Sequence, residues 1–492
     1  VLVTAQTSAA GAVSGTALIH SELISLAGHL GQFRVQLESS AAMAALTVAT
    51  GKTEAQFDLV LDLSSPPILR SEILPPGYYA PAGAAALQQA LRELPTLVGE
   101  FEKPRYFRYN ASICAHGRSG ITACTRCLDA CPTDAIVSIG DSIEVDPRLC
   151  QGAGSCAAVC PTGAIGYAYP QLGDTLQRLR TLLKSYRQEG GDRAVLLLHD
   201  AQDGQRRLAT LAQQLPENVI PFEIEELGSA GMDTWLAALA YGASALWLLV
   251  TPGVPVSVMT AIEAQVNIAR AILEGMGYPA EVLQISGPDA GALSQLFDSR
   301  LPVFAPDYAQ FAALDEKRTV IRLAVDHLYE QAPAPRPLVS LPAGSPFGEV
   351  EISAERCTLC MACVSQCPAN ALSAGDEKPQ LKFIEANCVQ CGLCCRSCPE
   401  DAIAASPRFL YDTAKRNRMR VLHEEEPFCC IHCGKAFATR SVIARITQKM
   451  KGHPMFSGDA LARISLCDDC RVKAIYSDEQ AGHAGISSGE NQ

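Results

Sequence analysis

Four times the chain spells Cys-Pro, a short polar turn and an aliphatic residue: CPTDAI at 131–136, CPTGAI at 160–165, CPANAL at 367–372 and CPEDAI at 398–403. The repeats come as two pairs, 29 and 31 residues apart. They organise almost all the cysteine. Seven of the 21 cysteines lie between Cys114 and Cys160, nine between Cys357 and Cys398, and five between Cys429 and Cys470. Disulfide-stapled scaffolds are small, and their cysteines are not bunched as C-x-x-C, so clustered thiols in a chain of 492 residues point to metal. The cysteine-free regions 1–113 and 161–356 must fold around ordinary cores.

Length gives a prior of about three domains or more at ~150 residues each. Hydrophobic residues make up 48% and charged residues 19%, a globular composition. The net charge of −12 argues against nucleic acid or an anionic membrane as main partner, because phosphate binding shows as a basic surplus. No secretory signal opens the chain, which begins at Val1, so an N-terminal address can have been lost; a cytoplasmic location is expected.

Residues 1–105 read as a small α/β domain. FDLVLDLS (57–64) has the pattern of a buried strand, and ALQQALRELPTLVGEF (86–101) starts as a helix that Pro95 ends or kinks. In 171–330, apolar runs at 194–199, 219–226, 245–251 and 281–286 alternate with helical stretches at 203–214, 229–242 and 257–276. That alternation predicts a parallel sheet covered on both faces. Residues 232–250 approach transmembrane length with one charge, Asp233, but Gly242 breaks the run, so a packed helix, a turn and a buried strand are expected and no membrane span. Five prolines in 331–348 mark a linker that frees the chain beyond it as a separate module.

The second pair carries a full spacing twice: Cys357-x2-Cys360-x2-Cys363-x3-Cys367-Pro and Cys388-x2-Cys391-x2-Cys394-x3-Cys398-Pro. This resembles the bacterial two-cluster ferredoxins, in which each run binds a cubane through three thiolates and lends its fourth to the other cluster. The resemblance implies one four-iron cluster on Cys357, Cys360, Cys363 and Cys398, and another on Cys388, Cys391, Cys394 and Cys367. It makes 349–410 a dicluster module.

The first pair, in a module spanning 106–170, departs twice. Nine residues separate Cys114 from Cys124 where two are expected; the resemblance then implies a cluster on Cys114, Cys124, Cys127 and Cys160 with the insertion bulged out. In the next run Ala153 stands where a thiolate belongs, leaving Cys131, Cys150 and Cys156. In seven-iron ferredoxins a non-Cys residue here goes with a three-iron cluster, the leading expectation. A four-iron cluster with one non-Cys ligand and an empty site are the alternatives. His116 and Arg118 in the insertion are expected on a solvated loop, with tuning or docking as the alternative.

In 411–492, Cys430-x2-Cys433 and Cys467-x2-Cys470 lack the Cys-Pro exit and read as two zinc knuckles around a helical insertion at 437–451, with iron as the alternative. Cys395, Cys429 and His432 are read as non-ligands. KRNRMR (415–420) is the dense basic run, a solvated face or a dock for an acidic redox partner. No G-x-G-x-x-G after a strand, Walker A or H-E-x-x-H is found, and GAVSG (11–15) is too weak for a dinucleotide.

FEKPRYFRYNASICAHGRSG (101–120), the tandem diclusters and HPMF…CDDCRVK (453–473) resemble large bacterial multi-cluster ferredoxin-type proteins often encoded beside formate dehydrogenases. Residues 217–250 resemble the delta-type iron–sulfur subunit of methyl-viologen-reducing hydrogenase, without its cluster cysteines. The expectation is an α+β and α/β multidomain protein with three four-iron clusters, one three-iron cluster and one zinc. It would relay electrons from a low-potential donor to an oxidoreductase partner, by the resemblance one of formate dehydrogenase type, rather than act as a stand-alone enzyme. A flavin- or nicotinamide-binding subunit and a metalloenzyme assembly or structural factor are the rivals.

Overall fold

The computed structural model describes residues 2–4, 17–51, 55–287, 297, 306–376, 378–454, 456 and 459–476; GAVSG at 11–15 lies outside them. Helices and strands are mixed throughout, and the chain divides into two units. Unit one holds Val1–Ala111, Thr125–Arg270 and Pro279–Gln331; unit two holds Ser112–Cys124, Ala271–Tyr278 and Ala332–Gln492.

Unit one opens on a parallel pair, Leu2–Thr4 with Leu18–His20, followed by an antiparallel sheet, Leu23–Ala27 against Phe33–Leu37 with Gln56–Phe57 at its edge. Ser39 caps the helix Ser40–Thr50, which buries Leu46 beside Leu37. The single strand expected over 57–64 is instead two short pieces, Gln56–Phe57 and Val60–Leu61, in different sheets. Asp62 ends the second piece, its buried carboxylate accepting the Ser64 and Ile68 N–H groups at 2.8 Å. The helix Ala84–Glu93 passes into a 3-10 turn, Leu94–Leu97, at Pro95.

The apolar runs of the cysteine-free region form one parallel sheet in the order Val219–Ile224, Val195–Asp200, Ala245–Leu249, Leu283–Ser286. Strands buried on both faces need continuous hydrophobicity, and Val195 to Leu198 are fully buried. Residues 232–250 are the buried helix Met232–Ala240, a turn at Gly242 and the Ala245–Leu249 strand. The next helix, Val256–Gly275, is long and apolar enough by composition to cross a membrane, and half of its apolar window is buried within the fold.

The two Cys-Pro pairs build the same scaffold twice. In unit one, Phe107–Tyr109 pairs with Ile165–Tyr167, and Ile136–Ile139 pairs with Ser142–Val145. In unit two, Gly348–Ile352 pairs with Ile403–Leu410, and Leu372–Ala374 with Gln380–Phe383. Each time the strand before the first cysteine joins the strand after the last Cys-Pro, so the two halves of a module close on each other.

Unit two then adds to its scaffold. Leu338–Ser340 pairs with Leu410–Arg408, while Ala334 and Arg336 donate backbone N–H groups to Met276 and Gly275. Within the proline-rich stretch only Leu338–Ser340 is strand, and its five prolines lie outside those three residues. Arg420–Glu424 extends the other sheet, and a hairpin, Pro427–Cys429 with Ala436–Thr439, leads into the helix Arg440–Met450.

Candidate metal centres

The turn after each Cys-Pro has one conformation. Asp134, Gly163, Asn370 and Asp401 are all left-handed, with φ of 52°, 77°, 50° and 47°. Asp, Asn and Gly tolerate that region best, which is why those types stand third after each cysteine. The turn folds the next N–H back onto sulfur: Ala371 donates to Cys367 Sγ at 3.2 Å and Ala402 to Cys398 Sγ at 3.3 Å.

The C-x-x-C loops show a second left-handed pair. Leu359 and Met361 flank Cys360 at φ of 54° and 61°, and Gln390 and Gly392 flank Cys391 at 52° and 80°. Gly152 and Gly154 flank Ala153 in the same way, at 83° and 75°. The loop at Ala153 therefore keeps the wrapping backbone of its sister loops and lacks the sulfur.

Three cavities sit under these loops. One is lined by Cys357, Cys360, Cys363 and Cys398. Another is lined by Cys367, Cys388, Cys391 and Cys394, so each run sends its last cysteine to the other's cavity. The third is lined by Cys131, Cys150, Cys156 and Ala153. Its other lining residues are apolar, glycine, Pro132, Thr133, Gln151 and Ser155, with no carboxylate, imidazole or further thiol among the described residues. Cys395 and Cys429, the spare cysteines, belong to unit two.

Electrostatics make these cavities poor places for bare thiolates. Burial, then the charges of Cys360, Cys357 and Cys398, pushes Cys363 up to about 12. Burial, then Cys367 and Cys388, pushes Cys391 up to about 11. Burial, then Cys131 and Cys150, pushes Cys156 well up. Sulfurs held this close ionise together only around a cationic centre, so the residues present fit a bound iron–sulfur group.

The 112–124 segment is only partly the solvated loop expected: Arg118, Ser119 and Gly120 are exposed, but His116 is not. His116 is 2% exposed, with Nδ1 at 2.8 Å from the Cys124 carbonyl. Ser119 Oγ accepts from Gln366 Nε2 at 3.0 Å, Arg118 Nη1 donates to the Cys367 carbonyl at 3.4 Å, and Arg396 donates to the Thr122 carbonyl. These contacts carry Cys124 close enough to Cys391 for its charge to add to the burial that raises that thiol. The nine residues between Cys114 and Cys124 form a docked hairpin, Gly117–Arg118 against Ile121–Thr122, turned at Ser119 and Gly120.

The basic run also turns inward. Arg416 is buried, donates to the Leu410 and Tyr411 carbonyls and lies over the Phe409 ring, while Arg420 pairs with Glu349 and Glu385. Two of its cations are thereby engaged inside the fold.

The Sγ atoms of Cys430, Cys433, Cys467 and Cys470 lie within 4.8 Å of one another, and Cys433 and Cys467 are 3.6 Å apart. Four thiolates at a Zn–S distance of ~2.3 Å stand about 3.8 Å apart, so the group fits one tetrahedral ion. His432 Nδ1 is 3.5 Å from Cys470 Sγ, placed beside a ligand rather than among the four.

A larger cavity of about 310 Å³ in unit one is lined by Arg108, Arg178, Asp315 and Lys317 among others. Its charges have internal partners: Lys317 donates to the Ala157 and Ala158 carbonyls, Arg108 faces Asp315 at 3.8 Å, and Arg178 lies over Phe222.

Comparison with known proteins agrees with the repeated scaffold. The 4Fe-4S dicluster domain family matches residues 122–164 and again 356–402. A curated relative, "Ferredoxin 7Fe" of Hydrogenibacillus schlegelii, is 44% identical over 39 residues, which is 8% of this chain and 50% of the relative. The chain thus spans about half the length of the curated relative it matches. It carries two iron–sulfur ferredoxin domains, each of dicluster type.

Proposed function

We propose that the chain is a cytoplasmic relay that moves electrons between a low-potential donor and an oxidoreductase partner, which the resemblance suggests is of formate dehydrogenase type. Four ligand sets would hold its clusters. Four-iron clusters would sit on Cys357, Cys360, Cys363 and Cys398, on Cys388, Cys391, Cys394 and Cys367, and on Cys114, Cys124, Cys127 and Cys160. A three-iron cluster would sit on Cys131, Cys150 and Cys156, and zinc on Cys430, Cys433, Cys467 and Cys470.

One observation carries the reading. The 112–124 hairpin, which ends at Cys124, a thiol of the first module's pattern, is hydrogen-bonded to Gln366 and Arg396 of the second module. Electron tunnelling falls steeply with distance, so a cysteine loop of one module anchored on the other is what a continuous relay needs. Each iron–sulfur centre supplies one-electron storage. The chain's residues exclude water from it, fix its thiolates and set its potential through nearby N–H groups and burial.

The test is anaerobic purification, metal analysis and rapid freeze-quench spectroscopy after mixing with a low-potential reductant. About 15 irons per chain, all reduced and reoxidised within one mixing experiment, is the expected result. A flavin absorbance would favour the cofactor-binding rival. Clusters that stay redox-inert towards every protein partner would favour the structural one.

A further inference from the structure

We infer that Gln390 is a potential-setting residue that makes the two centres of the second module unequal, so that an electron settles at the Cys388 site. The inference rests on the reading of Cys388 as a cluster ligand and adds a direction to it.

Gln390 Nε2 lies 2.9 Å from the Glu349 carbonyl and 3.4 Å from Cys388 Sγ. A carbonyl oxygen only accepts, so the amide nitrogen must face it, and the second hydrogen of the same NH₂ is left for the sulfur. Gly348 makes the room: a Cβ there would stand 2.6 Å from Gln390 Cδ.

The sister loop lacks this donor. Leu359 occupies the same place between Cys357 and Cys360, with φ of 54° against 52° for Gln390, and buries an apolar side chain. One backbone donor is the same on each side, since Ala371 serves Cys367 as Ala402 serves Cys398. The acidic side also differs: Glu400 lines the Cys357 cavity, where its carboxylate pairs with Arg445.

An N–H dipole aimed at sulfur stabilises the more negative, reduced state and so raises the potential. Gln390 therefore lifts the Cys388 site above its neighbour. Cys360 is exposed, whereas Cys391 is half-buried. One electron taken up on the Cys360 side, with no proton or bond change, comes to rest at the Cys388 site.

The experiment is a potentiometric titration of the full chain, followed by electron paramagnetic resonance, with Gln390→Leu and Gln390→Met. Leucine already holds this backbone conformation in the sister loop, and methionine keeps the length without the N–H. The Cys388 centre is identified by the spectral change that Cys391→Ser produces. In both variants its reduced fraction at fixed potential should fall about three- to tenfold, with iron content and the Cys357 centre unchanged. An unmoved potential, or equal movement of both centres, overturns the inference. Absence of any iron signal at the Cys388 site in the unaltered chain would instead remove the cluster reading beneath it.

Discussion

Replacing Ala153 with cysteine tests whether one missing sulfur decides the composition of a cluster. Residue 153 is held between Gly152 and Gly154 in the left-handed pairing that also flanks Cys360 and Cys391, so the backbone is already shaped for a ligand. The alanine methyl lines the cavity with Cys131, Cys150 and Cys156, and an added Sγ enters the same space. Beyond the three cysteines the lining has no thiol, carboxylate or imidazole for the fourth corner, and its hydroxyls are engaged elsewhere, Ser155 on the Ala130 carbonyl and Thr133 beside Cys131 Sγ. The unaltered protein, prepared oxidised, should show the paramagnetic signal of a three-iron centre at about one spin per chain, while oxidised four-iron clusters are silent. Ala153→Cys should abolish that signal, raise iron from about 15 to about 16 per chain and give a further reduced-state signal at a new potential. Paired iron analysis and spin quantification read both changes. A silent oxidised spectrum in the unaltered chain, with four irons at this site, would refute the reasoning and require a ligand from outside the cavity wall.

Gly154→Ala should cost ~2–4 kcal/mol in chemical denaturation, since φ is 75° and a Cβ would stand 2.5 Å from Ser229 Cα; Gly140→Ala, at the same φ with nothing nearby, should cost only ~1 kcal/mol. Burial, then Asp200 and Glu225, pushes Glu226 up to about 7, so the folded state binds its proton more tightly than the unfolded one. Its contribution is greatest below pH 4.5 and lost as pH rises through 7; Glu226→Gln should flatten that slope and stabilise the protein by ~1–2 kcal/mol at pH 8, after discounting for partial exposure. Cys467→Ser should release about one zinc per chain and increase proteolysis of the C-terminal segment, with the iron spectra intact. Loss of an iron signal in that variant would reassign the metal.

The alternation of apolar runs made the parallel sheet legible, because a strand such as 195–200 buried on both faces has no other pattern to adopt. The resemblance to two-cluster ferredoxins likewise implied an exchange of last cysteines between the runs, and the cavities group Cys398 with 357–363 and Cys367 with 388–394. Contacts that depend on distant partners stayed hidden. Ser119 and Thr122 look like solvent-facing residues in their own stretch, and their partners Gln366 and Arg396 lie 247 and 274 residues further on. Gln390 carries no local signal either, because its meaning comes from Glu349 and from a missing side chain at Gly348. One signal was there to be read: glycines at 152, 154 and 392 mark the loop positions that Leu359, Met361 and Gln390 also hold left-handed.

The docked hairpin has a consequence for biogenesis. Ser119 leaves the ribosome long before Gln366, its partner 247 residues further along the chain. Arg396, which holds Thr122, emerges later still, 274 residues on. Cys114 and Cys124 therefore wait, exposed and without their lasting surroundings, through the synthesis of the whole cysteine-free domain. Oxygen damage should concentrate on that interval, and a stalled or truncated product ending before residue 366 should carry reactive thiols that the finished protein shelters.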